Sequence, residues 1–209
     1  MDTTTDPTEA VPAPGWTHQL AEQLSWHWEN QLRPRLEGLT DDEYLWEPVP
    51  GCWTVRPRGQ AGPDLPGAVT AGGGDHVIDF AFPEPTPPPV TTIAWRLAHV
   101  VVGVLGARNA SHFGGPADSY ESHGYAGTAA GALAQLDDAH DRWIAGVRSL
   151  DAAALARPCG PAEGPFAHLP MATLVLHIHR EVIHHGAEMA LLRDLYLHRN
   201  LPRHPHDDD

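Results

Sequence analysis

The residues best equipped for chemistry lie close together near the C-terminus, in the run Leu174 to Met189. Within it Leu174, Ile178, Val182 and Met189, continued by Leu192 and Tyr196, recur at three, four or seven residues, the stripe of an amphipathic helix. His185 falls on that stripe, and Glu181 stands four residues earlier on its edge, so the two side chains project inward together. A carboxylate and an imidazole so placed inside a bundle are two metal ligands in want of a third. His184, rotated by about 100° from that line, belongs to the flank. His177, one turn before Glu181, could orient it or simply face solvent.

A third ligand is found on an earlier helix, where Trp95, His99, Val102 and Gly106 share one face. Taken alone, His99 reads as a hydrogen-bonded core histidine. Taken with Glu181 and His185 it completes two nitrogens and one oxygen, a set that leaves coordination positions open for water or substrate. The same set occurs in non-haem iron sites. Arg96, Arg108, Asn109 and His112 lie on or just beyond this helix; either arginine could hold a substrate carboxylate or pair with a local acid. Arg180 and Glu188 read as surface or interhelical ion-pair residues. Trp46 and Trp53 could line a pocket, with packing as the plainer role, and no base is evident beside Cys52.

Four helical segments must position these groups: Trp16 to about Leu36, with Pro34 ending or kinking it; Thr91 or Thr92 to about Phe113; about Gly127 to Leu150; and Met171 to Leu197. Thr40-Asp41-Asp42-Glu43 is a capping signal for a further short helix. Residues 48–90 are rich in Gly and Pro and too long for an idle connection, so they form either a functional cover or a mobile segment, with a short strand near Asp75–Phe80. The expected fold is therefore all-α, a four-helix bundle over residues 15–198 with a long Gly/Pro-rich insert between its first two helices. Residues 1–14 are expected to be disordered and 199–209 to form a polar tail.

Composition narrows the function. A net charge of −14 argues against nucleic acid, which selects clustered cations. All thirteen basic residues are Arg, so lysine Schiff bases and P-loop lysines are excluded. Cys52 and Cys159 make neither a disulfide framework nor a CxxC pair. No run is long and apolar enough to cross a membrane, and the first fifteen residues lack the marks of a signal peptide. These features place the chain in the cytoplasm.

Three stretches carry a specific resemblance: Leu36–Pro48 (LEGLTDDEYLWEP), Ile93–His99 (IAWRLAH) and Arg180–Glu188 (REVIHHGAE). On them the chain resembles the DinB/YfiT-like superfamily, in its DinB_2 subgroup, over about residues 15–198. The resemblance implies a four-helix bundle with one His from the second helix and two ligands from the fourth, here His99, Glu181 and His185. Many members carry a second His where this chain has Glu181; the His/Glu/His order is similar to the mycothiol-dependent maleylpyruvate isomerase branch. It further implies a divalent metal (zinc first, iron or nickel as alternatives) and a low-molecular-weight thiol such as mycothiol or bacillithiol, activated for S-transfer or isomerisation of a small electrophile. A homodimer is implied as well. A non-catalytic, stress-associated metal-binding protein and a metal-dependent hydrolase are the alternatives.

Overall fold

The computed structural model describes residues 15–200; residues 1–14 and nearly all of the expected polar tail fall outside them. Helix α1 (Trp16–His27) runs into a wide, π-type turn at Trp28–Leu32 and resumes over Arg33–Arg35. Pro34 supplies the reason: proline offers no N–H and crowds the carbonyl four residues earlier, so the ladder widens before it and stops after it. Arg193 then donates to the carbonyls of Arg35 and Glu37, satisfying the open end. The capping signal is realised in α2 (Asp41–Tyr44), where Thr40 and Glu43 cap each other reciprocally.

Helix α3 (Ile93–His99) starts at Thr92, whose hydroxyl accepts from the Trp95 N–H. It continues through a second π-type stretch, Val100–Gly106, into Ala107–Phe113, and ends on Gly114 in the left-handed conformation. Helix α4 (Ala129–Arg148) is capped by Thr128, and α5 (Ala152–Ala156) by Asp151. The last helix, α6 (Met171–His198), is the longest. All four long segments pack on one another, with α4 against both α1 and the Val100–Gly106 stretch, and α6 against α1 and α3. Leu24, Leu97, Leu136, Trp143, Ile178 and Met189 meet in one core.

The fold is mostly helical but not all-α. Residues 48–90, expected as a cover or a mobile segment, fold into a three-stranded antiparallel sheet in the order β1 (Val55–Pro57), β3 (His76–Ala81), β2 (Ala68–Ala71). The strand expected near Asp75–Phe80 is the central one; its partners are too short and too Pro/Gly-flanked to show a period of two. A buried Arg56–Asp79 ion pair at 2.6 Å joins β1 to β3. Such a pair is tolerated because its remaining hydrogen-bonding capacity is used: the Thr54 N–H donates to Asp79 and Arg56 donates to the Ala61 carbonyl. The sheet is tied to the start of α3 by Trp95, whose indole N–H donates to the Asp79 carbonyl at 2.9 Å, and by the Thr92–Thr54 hydroxyl pair at 2.8 Å. The insert therefore ends beside His99.

Candidate metal centre

His99 closes α3, one turn after Trp95, and that spacing stacks the two rings with centroids 5.3 Å apart and planes 15° from parallel. Its Nδ1 is hydrogen-bonded to the Tyr120 hydroxyl at 2.7 Å. Its Nε2 makes no hydrogen bond and is not among the fully buried unpartnered atoms, so it remains accessible. Burial, then the nearby His185 and Arg96, push the imidazole down to about 4. His99 is thus neutral at physiological pH, the form in which a ring nitrogen ligates metal.

His185 projects from α6 toward the same place, its ring edge-on to His99 with centroids 4.8 Å apart. Its Nδ1 lies 2.7 Å from a Glu188 carboxylate oxygen, three residues on. Arg96 donates to that same oxygen at 2.5 Å, so the carboxylate accepts from both the imidazole N–H and the guanidinium. This fixes the ring with Nε2 on the other side, facing Glu181 Oε2 at 3.7 Å. An imidazole whose far nitrogen donates to a carboxylate is the usual state of a metal-ligating histidine. Gly186 lets α6 approach the wide turn of the first segment, since a methyl there would meet the Leu32 side chain.

Glu181 divides its attention. Oε2 faces His185, while Oε1 lies 3.5 Å from His177 and 3.8 Å from Arg180. The three expected ligands are therefore brought together pairwise through His185. Among the described residues, the trio whose donor atoms all lie within 4.8 Å of one another is a different one: His184, His185 and Glu188. The donor set of both groups, imidazole nitrogen and carboxylate oxygen, suits a divalent cation of borderline softness.

His177 lies beside Glu181, but its Nδ1 accepts from Arg180 at 2.7 Å and so does not donate to that carboxylate; Glu188 is an interhelical ion-pair residue that also anchors His185. Helical spacing alone, three residues after His185, could have signalled that second role. Tyr120 went unseen because it sits in an irregular loop where no periodicity exists. Arg108 and His112 both pair with Glu163, and Asn109 donates to the Ala139 carbonyl, so none of the three reaches the centre. Trp46 packs edge-on against Tyr196, and Trp53 is buried between Phe80 and Trp95. Cys52 and Cys159 are free and buried; burial pushes the Cys52 thiol up, away from the nucleophilic thiolate.

No helix among the described residues is long and apolar enough to cross a membrane. A family model described as the DinB superfamily matches residues 23–189, a span that contains His99, Glu181 and His185. No curated protein and no solved structure matches the chain.

Proposed function

Because this chain belongs to the DinB superfamily, we propose that it is a metal-dependent enzyme that activates a low-molecular-weight, mycothiol-like thiol for S-transfer to, or isomerisation of, a small electrophile. His99, Glu181 and His185 are its metal ligands. The observation that supports this reading is the matched state of the two imidazoles. Each has Nδ1 engaged, by Tyr120 or by Glu188, and each leaves Nε2 without a hydrogen bond, the two rings lying edge to face with centroids 4.8 Å apart. A bound divalent cation, with zinc the best match to this donor set, would hold the incoming thiol as its nucleophilic thiolate.

The protein's own part is to bind and orient. Two neutral imidazoles and one carboxylate leave a net positive centre that attracts an anionic sulfur. Glu188 keeps the proton of His185 on Nδ1, and Arg96 holds the Glu188 carboxylate in place. Phe80 and Trp95, edge to face at 5.8 Å, carry an aromatic wall from the sheet to His99. The same reading makes residues 15–198 a cytoplasmic four-helix bundle that assembles as a homodimer.

The test is metal content by elemental analysis of the wild type and of Glu181→Ala, followed by thiol addition to cobalt-substituted protein. One ion per chain, lost in the variant, with a sulfur-to-metal charge-transfer band on adding mycothiol, is the expected result. A wild type that holds no metal even after reconstitution would sink the reading. The compact group at His184, His185 and Glu188 favours a second arrangement, an ion held on the outer face of α6. His184→Ala separates the two, since it removes that ion and leaves the proposed centre intact.

A further inference from the structure

We infer that Tyr120 is a positioning residue of this centre: its hydroxyl holds the His99 ring with Nδ1 occupied and Nε2 free to ligate. The inference rests on the reading of His99 as a ligand, and it assigns a role to a loop outside every helix of the fold.

Three observations carry it. First, the His99 ring is held on one face and at one edge. Trp95 stacks on the face at 5.3 Å, and Tyr120 lies end-on at the Nδ1 edge, its ring 10° from parallel with centroids 6.4 Å apart and its hydroxyl bonding Nδ1 at 2.7 Å. A neutral imidazole carries one proton. Placed on Nδ1 and donated to the phenol oxygen, that proton leaves the Nε2 lone pair for a cation.

Second, the helix is cut away to admit the hydroxyl. Gly103 stands four residues after His99, the position that overlies it on the same helix face. A methyl group at 103 would collide with the Tyr120 hydroxyl and press on His99 Nδ1 at 3.2 Å. Glycine costs a helix about 1 kcal/mol relative to alanine, so its presence among valines calls for a reason, and the hydroxyl supplies one.

Third, Tyr120 is itself held from outside the helices. Phe80 of β3 meets its ring edge-on at 5.0 Å, and the Tyr125 hydroxyl donates to its carbonyl at 2.9 Å. The loop is strapped to the sheet where the Gly73 N–H donates to the His123 carbonyl at 2.8 Å, a close approach that a side chain at 73 would block against Ser122. Support thus runs from sheet to loop to Tyr120 to His99.

Zinc affinity of Tyr120→Phe, measured by competition with a chelating dye, tests this directly. Removing the outer partner of a ligating histidine costs about 10–100-fold in metal affinity, and that loss is expected with the unfolding midpoint of the zinc-free protein unchanged. Nitrogen NMR of the imidazoles in the zinc-free variant should show His99 released from a single tautomer, a signal that mere packing would not move. Gly103→Ala, which keeps the tyrosine but displaces its hydroxyl, should weaken zinc to a similar degree and guards against a folding defect in the first variant. Wild-type affinity in both variants overturns the proposal. His99→Ala run in parallel identifies which statement failed: if it loses zinc while Tyr120→Phe does not, only the role of Tyr120 falls. If His99→Ala binds as the wild type does, the ligand assignment falls with it.

Discussion

Two pairs of inward-facing histidines, one at the candidate centre and one deep in the core, are treated in different ways. His99 and His185 each have one ring nitrogen engaged by a fixed partner and the other left accessible or facing Glu181. His140 and His179, on α4 and α6, lie deeper. His140 stacks on Trp28 at 3.7 Å, with Nδ1 3.2 Å from the exposed Asp141 carboxylate and Nε2 buried without a partner, and His179 is 1% exposed with neither nitrogen bonded. Burial pushes both His99 and His179 down to about 4, so a depressed pKa does not tell the two environments apart. The surroundings of the open nitrogen do: in His99 and His185 it is accessible or faces Glu181, and in His140 and His179 it is buried without a partner. A ring of the first kind is aimed; a ring of the second kind is packing.

The largest effect should come from exchanging which pair is disturbed. His185→Ala removes an aimed ring and should abolish stoichiometric metal binding, whereas His179→Met, six residues earlier on the same helix, should leave stoichiometry and affinity as in the wild type. Elemental analysis after dialysis reads both. Loss of metal in His179→Met would erase the distinction between the pairs.

That distinction was only half legible in the sequence. His185 and Glu181 are found by helical periodicity because α6 is regular from Met171 to His198, and the expected limits of two other long helices, Thr91 or Thr92 to about Phe113 and about Gly127 to Leu150, fall within two residues of those observed. His179 stands one residue beyond Ile178 and was passed over, since a histidine adjacent to an apolar stripe gives no sign of whether the stripe is wide enough to bury it. The sheet was missed beyond its central strand because β1 and β2 run for only three and four residues, less than two full alternations. Tyr120 was illegible for a different reason: its contact with His99 spans 21 positions and depends on how a loop folds back.

A second test uses pH. His179 has a folded-state value of about 4 against an ordinary 6.5, so below 6.5 the unfolded chain takes up a proton that the folded chain refuses. Stability is flat above that point and falls with decreasing pH, by about 1.4 kcal/mol per unit, until the folded form titrates near 4. The accumulated loss is on the order of 3 kcal/mol. His140, also pushed down by burial and facing the same interior, adds in the same direction. Urea unfolding of the metal-free protein between pH 7.5 and 4.5 should therefore show a steep acid limb that is shallower in His179→Met. An identical slope in the variant would place the titrating groups elsewhere.

The smallest effect concerns the same substitution above the titration range. A neutral buried imidazole with two unmade hydrogen bonds carries a desolvation cost of about 1–3 kcal/mol that nothing repays. Methionine has a similar volume, no strong polar atoms and the flexibility to fill the space. At pH 7.5 His179→Met should thus match the wild type or exceed it by about 1 kcal/mol, measured by urea unfolding. A loss of more than about 1.5 kcal/mol would mean that His179 has a hidden partner, and one polar group beside it is the Trp143 indole N–H. That ring meets His179 edge-on at 6.1 Å and its N–H is also buried without a partner. A water bridging the two would make both unpartnered groups satisfied ones. Trp143→Phe would then be destabilising too, and the double variant would lose less than the sum of the single losses. Additive losses would instead return both residues to plain core packing and leave His99 and His185 as the aimed pair.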